Sequence, residues 1–170
     1  MKYRILTLED CFNFMDDLLS CYECNSFVLD NQSPLHLDTA PQCRDFIAGY
    51  VQSSDSYVLG VFDNEEKFLY GIIIFDNIRM VGGDSIAQVH IVTDRKIWGK
   101  KILDTYNEVI EFSPIKTLYC EIPQIAVHAI GVCKRLGFKK TGYIPKALPY
   151  TNSRGEEKLY DINIFVKETN

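Results

Sequence analysis

The stretch that decides the fold is KRLGFKKTGY, which occupies residues 134–143. An apolar helical stripe reaches Leu136, Gly137 follows it, and a new apolar strand begins at Phe138. Glycine ends many helices because it adopts a left-handed backbone without a steric penalty. An aromatic side chain directly after the stop can pin the helix to a sheet. We therefore expect a helix that packs on a sheet and is followed at once by another strand.

Outward from this point, the apolar periodicity alternates between that of strands and that of helices. Strands are predicted at residues 3–6, 57–62, 68–75, 84–93, 116–122, 138–144 and 158–167, and helices at 7–20, 42–52, 97–110 and 125–136. The predicted order is β-α-α-β-β-β-α-β-α-β-β. This order indicates a mixed α/β (α+β) fold, with helices packed on a mainly antiparallel sheet, in a single domain over residues 1–170.

The predicted helices carry internal signals. Thr7 and Asp10 have the spacing of a capping box at the start of the first helix. Apolar residues at helical spacing are the candidate buried positions. They are Phe12, Met15, Leu18 and Leu19 in the first helix, Trp98, Ile102, Tyr106, Val109 and Ile110 in the third, and Ile125, Ala129, Val132, Cys133 and Leu136 in the fourth.

The composition indicates an ordinary globular protein. Of its 170 residues, 46% are hydrophobic and 24% are charged, and the formal net charge is −5. This balance disfavours a broad nucleic-acid-binding face. No apolar run reaches the roughly 20 residues that span a bilayer, and the start, MKYRILTLED, does not read as a signal peptide. We expect a cytoplasmic protein without a membrane partner.

The cysteines and histidines do not form a metal-binding pattern. The six cysteines are expected to be reduced thiols in an intracellular protein. CYEC, at residues 21–24, has the spacing of half a zinc or redox site, but no second pair lies nearby. His36 and Asp38 match no ligand motif, so no metal is predicted. A nucleophilic pair of Cys120 or Cys133 with a histidine would need a geometry that sequence cannot supply.

The second half of the chain resembles the GCN5-related N-acetyltransferases (GNAT). AVHAIGVCKRLGFKKTGY, at residues 126–143, is similar to that family's helix–Gly–Phe–strand stretch, N-x-x-A-I-x-L-Y-x-K-x-G-F. Ala129, Ile130, Gly137 and Phe138 match the pattern, and Arg135 replaces its lysine. The resemblance covers roughly residues 57–167, whereas the first fifty residues match only in the order of elements.

Two shorter matches point to a narrower branch. VHI at residues 89–91 and EIP at residues 121–123 resemble bacteriophage-encoded GNAT-like proteins. If this branch applies, the protein resides in the host cytoplasm or in a virion, where oligomeric or virion partners become conceivable.

The resemblance implies a binding site for acetyl-CoA, the cosubstrate of the family. In that fold the fourth and fifth strands diverge, the pantetheine arm pairs with free backbone groups of the fourth, and the pyrophosphate lies at the N-terminus of the next helix. The matching segment is VTDRKIWGKKIL, residues 92–103. The family's second glycine is replaced by lysine, so an exposed basic turn above a packed Trp98 is the alternative. The predicted cofactor-binding residues are Ile91, Val92, Lys96, Gly99, Lys100 and Lys101.

Acetyl transfer to an amine also needs an acid and a base. Where the family has a tyrosine that protonates the departing thiolate, this chain has Cys133, and where it has asparagine, this chain has Ala126. Cys133 also fits a buried core thiol, and Tyr143 or Tyr150 would be substitutes. His90 and Glu121, on the fourth and fifth strands, are the candidate bases. A hydrogen-bonded sheet histidine and a solvated strand end are the structural alternatives.

Two functions follow from these residues. The first is an N-acetyltransferase that transfers the acetyl group of acetyl-CoA to an amine of unknown identity, with residues 25–41 and 144–158 shaping the acceptor pocket. The second is a GNAT-like protein that has lost catalysis and serves as a structural or binding component, because the asparagine, the tyrosine and the second glycine are missing. The balance of residues favours the enzyme.

Overall fold

In the computed structural model, which describes residues 1–23, 37–151 and 155–169, the chain forms a seven-stranded sheet with helices on both faces. The strands are β1 (Lys2–Ile5), β2 (Tyr57–Phe62), β3 (Leu69–Val81), β4 (Asp84–Thr93), β5 (Thr117–Pro123), β6 (Lys139–Thr151) and β7 (Glu157–Glu168). The helices are α1 (Leu8–Asn13), α2 (Met15–Glu23), α3 (Ala40–Gln52), α4 (Lys100–Glu111) and α5 (Val127–Arg135). The mixed α/β fold and its order of elements are confirmed, except that the first predicted helix is broken at Phe14. No helix in these described ranges is long and apolar enough to cross a membrane.

One junction in the sheet differs from all the others. The strands lie in the order β1-β2-β3-β4-β5-β7-β6, and each neighbouring pair is antiparallel except β4 and β5. Parallel neighbours need a crossover connection, and here α4 supplies it. The crossover places the N-terminus of α4 directly after the end of β4.

The side chains of β4 alternate between two hydrophobic clusters. Ala87 and Val89 pack in the cluster that contains residues of α4 and α5, whereas Val92 packs with residues of α1, α2 and α3. Successive residues of a strand point to opposite faces of a sheet. Odd-numbered residues of β4 therefore point to what we call the α4/α5 face, and even-numbered ones point to the α1–α3 face.

Helix α4 is positioned by Tyr106, whose hydroxyl lies above Gly71 of β3. Tyr106 is fully buried, and its hydroxyl is hydrogen-bonded to that of Thr93 and donates to the carbonyl oxygen of Val92 at 3.5 Å. A Cβ at Gly71 would overlap the Tyr106 hydroxyl. Burial raises the pKa of Tyr106 well above that of a free tyrosine, so the phenol keeps its proton. Glycine at position 71 is thus required by packing.

Helix α5 ends as the sequence predicts. Gly137 has a φ of +85°. Its N–H donates to the carbonyl of Lys134 at 3.1 Å, and the N–H of Phe138 donates to that of Cys133 at 3.2 Å. This pair of bonds is the Schellman arrangement. Phe138 is 4% exposed, so the aromatic residue after the glycine does pack into the core beneath the helix.

Several predicted core positions are wrong. Phe12 is 57% exposed, because α1 ends at Asn13 and the two short helices bury other residues, among them Cys11 and Leu18. Ala129 is also exposed, since Cys133 is the residue of α5 that enters the core. Trp98 precedes the first residue of α4 and is 37% exposed. The other four members of its stripe are buried: Ile102, Tyr106, Val109 and Ile110.

Candidate active site

The strands β4 and β5 separate after a short stretch of pairing, as the resemblance implies. Their pairing covers Ile86–Thr117, Ala87–Leu118 and Gln88–Tyr119. Residues 89–93 of β4 and 120–123 of β5 continue beyond this pairing. Ile91 and Val92 lie in the unpaired part, so backbone groups on that edge of β4 are free of β5. We call this opening the β4–β5 gap.

The turn that leads from β4 to α4 is held by Asp94. Its side chain accepts a hydrogen bond from the N–H of Lys96 at 2.8 Å, and its carbonyl accepts one from the N–H of Ile97 at 3.1 Å. These bonds stabilise a short 3₁₀ turn over Arg95–Ile97. The turn therefore lies between the last residue of β4 and the first residue of α4.

The N-terminus of α4 has no side-chain cap. Gly99 is the N-cap residue, and the first helical bond runs from Leu103 back to Gly99. The N–H groups of the first helical turn therefore lack partners within the helix, and they favour an anion. The backbone of Gly99 is extended, a conformation open to any residue, and a Cβ there would meet nothing within 4 Å. The space beside Gly99 is therefore open.

Basic side chains surround this turn. Lys96, Lys100 and Lys101 are exposed and form no ion pair with the parts of the chain that the structure describes. Lys101 also lines a separate cleft of about 400 Å³ together with Asp63 and Tyr70. Exposed lysines add favourable potential for a phosphate without fixing its position.

On the α1–α3 face, the two candidate bases lie at the two sides of the gap. Gln88 and Tyr119 form the last bridge of the two strands, and adding two residues to each strand leads to His90 and Glu121. Both side chains therefore leave the same face, just where the strands separate. Glu121 is exposed, whereas His90 is only partly so.

The environment of His90 suits a neutral base. Burial lowers the pKa of His90, and the charge of Asp76 opposes this shift. The Nε2 atom is buried and has no hydrogen-bond partner among the described residues. This nitrogen therefore lacks the hydrogen bond that the alternative of a hydrogen-bonded sheet histidine would give it. A buried polar atom without a partner is uncommon and is often a sign of a functional site.

Three further residues join this side of the gap, and sequence reasoning missed them. Burial raises the pKa of Tyr119. The positive charge of Arg79 lowers this pKa, whereas the negative charges of Glu121 and Asp76 raise it. Asp76 is opposite Gln88, and a bulge between Asp76 and Arg79 keeps both on the α1–α3 face. The available signal was a polar DN pair inside the apolar strand. The pairing register of β3 with β4 was needed to place this pair on a face of the sheet.

Cys133 lies on the other face of the sheet. Its sulfur is 3.3 Å from that of Cys120, which follows Tyr119 at the start of the gap. Cys133 is 5% exposed and belongs to the hydrophobic cluster of α4 and α5. The hydrogen bond with Cys133, together with burial, raises the pKa of Cys120. The structure thus places His90 and Glu121 on one face, at the two sides of the gap, and Cys133 on the other face of the sheet.

The remaining candidates lie elsewhere. Tyr143 and Tyr150, the substitute proton donors, belong to β6, which β7 separates from β5. His36, Cys24 and residues 25–36 of the predicted acceptor region lie outside the described residues. In the second acceptor region, residues 144–151 and 157–158 are parts of the β6–β7 hairpin.

No protein-family profile matches the sequence, and no curated protein matches it either. The fold, in contrast, is shared with solved acetyltransferases. A GNAT-family acetyltransferase from Streptococcus pneumoniae has a TM-score of 0.66 and 17% identity, with 98% of each chain covered. A spermidine N-acetyltransferase variant from Vibrio cholerae has a TM-score of 0.71 and 12% identity, with 99% of this chain and 95% of that one covered.

A third similar structure contains coenzyme A. RimL, a ribosomal L7/L12 alpha-N-protein acetyltransferase in complex with coenzyme A, has a TM-score of 0.71 and 14% identity, with 98% of this chain and 93% of that one covered. These structures do not bear on the bacteriophage branch, which stays a prediction, and they lend no support to the alternative of a protein that has lost catalysis. At these identities the likeness establishes the architecture. The chain therefore has the fold of the GCN5-related N-acetyltransferases.

Proposed function

We propose that the protein is an N-acetyltransferase that transfers the acetyl group of acetyl-CoA to a primary amine. The observation that carries this proposal is the β4–β5 gap, whose strand β4 leads through a short turn into the uncapped N-terminus of α4. The gap offers free strand backbone to an extended chain, and the helix offers free amides to a phosphate. A nucleotide with a long amide-containing arm has both of these parts.

The residues that would hold acetyl-CoA divide into two sets. Ile91 and Val92 supply backbone groups on the free edge of β4 for the arm. The amides that follow Gly99 receive the pyrophosphate, and Lys96, Lys100 and Lys101 raise the local positive potential. Acetyl-CoA supplies the activated thioester, and the protein supplies position and proton transfer.

The gap joins two faces with different chemistry. On the α1–α3 face, His90 accepts a proton from the amine, because burial keeps its imidazole neutral. The carboxylates of Asp76 and Glu121 favour a cationic acceptor on that side. On the α4/α5 face, the thiol of Cys133, which contacts Cys120 at the start of the gap, is the proposed proton donor. The new C–N bond forms as the C–S bond breaks, and the departing sulfur takes up the proton.

Calorimetry with acetyl-CoA tests the binding half of the proposal. We expect micromolar affinity for the unmodified protein and a loss of at least about tenfold in Gly99→Val, roughly 1.4 kcal/mol or more. The valine would fill the open space before the helical amides, and the extended backbone at this position accepts it without strain. Gly49→Val is the matched control, because a Cβ there also meets nothing within 4 Å and lies on α3.

Two results would contradict this assignment. One is unchanged affinity in a folded Gly99→Val protein, and the other is no binding by the unmodified protein up to millimolar acetyl-CoA. If acetyl-CoA binds, the acceptor is sought by mass spectrometry of acetylated products. Spermidine and a peptide with a free α-amino group are the first two amines to test, because similar structures act on such groups.

A further inference from the structure

Two cysteines from different elements meet beside the gap. The sulfurs of Cys120 on β5 and Cys133 on α5 are 3.3 Å apart, and both are free thiols. A disulfide bond is about 2.0 Å long, so the sulfurs need to approach by roughly 1.3 Å. The two sulfurs belong to different elements, so closing this distance needs a shift between α5 and β5 or a change of side-chain rotamer.

This pair is separate from the other described cysteines. Cys11, Cys21 and Cys43 are fully buried in the cluster on the α1–α3 face. Cys120, in contrast, is only partly buried, so a small reagent has access to the pair from its side. The pair therefore combines two sulfurs in contact with one partly exposed partner.

We propose that Cys120 and Cys133 form a reversible thiol–disulfide switch that is oxidised by a small-molecule disulfide and turns off the adjacent site. One thiolate attacks the reagent and releases its first thiol, which leaves a mixed disulfide on the protein. The second cysteine then attacks the protein sulfur and releases the second thiol. Two protein thiols are oxidised and one external disulfide is reduced, so atoms and electrons balance.

The effect on the site follows from what the disulfide removes. It consumes the S–H group of Cys133, which is the proposed proton donor, and it ties α5 to β5 where the gap begins. This second part of the inference rests on the proposed acetyltransferase function. The formation of the disulfide does not rest on it.

The rate of disulfide formation also depends on pH. The hydrogen bond to Cys133 and burial hold the proton on Cys120 by raising its pKa. Only a thiolate attacks a disulfide. Cross-linking is therefore slow near neutral pH and becomes faster as the pH rises.

The test is incubation of the full chain with glutathione disulfide, followed by alkylation of the remaining thiols and peptide mass spectrometry. We expect a cross-linked pair of peptides that contain Cys120 and Cys133, lost on treatment with dithiothreitol and lost in Cys120→Ser. Acetyl transfer, compared for each protein before and after oxidation, should fall at least about tenfold for the unmodified chain. For Cys120→Ser, the ratio of the acetyl-transfer rate after oxidation to the rate before it should stay near one.

Each outcome decides a different part. Both thiols alkylated after oxidation, or a stable mixed disulfide with glutathione alone, overturns the switch. A cross-link that leaves acetyl transfer unchanged overturns its link to the site. If the fully reduced protein transfers no acetyl group to any amine, the proposed function fails, whereas the cross-linking result still decides the thiol chemistry.

Discussion

The two faces of the sheet at the β4–β5 gap differ in the kind of group that they carry. The α1–α3 face has titratable side chains that interact by charge: Asp76, Arg79, His90, Tyr119 and Glu121. The α4/α5 face has buried apolar packing, one close thiol pair and a helix N-terminus with free amides. A protein that joins an amine to a thioester needs proton transfer on one side and binding of a large anionic nucleotide on the other. The division lets changes on one face leave the other largely untouched.

The largest effect is expected from the α1–α3 face. His90→Gln should lower kcat/KM for acetyl transfer by about 10²–10⁴-fold, because it removes a positioned general base. The affinity for acetyl-CoA, measured by calorimetry, should stay the same, since His90 does not point to the α4/α5 face. A variant that loses acetyl-CoA binding together with activity would break the proposed division of the two faces.

A packing change on the α4/α5 face should act on stability. Gly71→Ala would place a methyl group against the Tyr106 hydroxyl and 2.8 Å from the carbonyl oxygen of Val92. Overpacking of this kind typically costs about 1–3 kcal/mol. Denaturant unfolding measures the loss. Gly49→Ala is the matched control, because its Cβ meets nothing within 4 Å on α3 and the free energy of unfolding should be equal or higher.

A smaller effect concerns the pH dependence. The pKa of His90 is lowered by burial, so the acidic limb of kcat/KM should lie below the ordinary histidine value of 6.5. Asp76 raises that pKa, and Asp76→Asn should move the limb to still lower pH. A pH–rate profile of each protein checks this. A limb that moves to higher pH would show that another group titrates.

Much of the fold could be predicted because it depends on local patterns. The end of α5 at Gly137 and Phe138 follows from backbone freedom and apolar spacing alone, and the predicted strands appear in the predicted order. The errors fall at positions whose burial depends on contacts with other segments. Phe12 is exposed because the chain breaks between α1 and α2, and periodicity cannot show such a break.

The candidate site divides in the same way. The sequence by itself determined the order of elements, the placement of His90 and Glu121 on the fourth and fifth strands, and the basic turn before α4, because each depends on residues close together in the chain. Only the tertiary structure decided that the strands separate after Gln88 and Tyr119, that Asp76 and Arg79 reach the same face, and that Cys133 contacts Cys120. The physical reason is that strand register and helix docking are set by contacts between distant segments, and the pattern within one segment does not contain them.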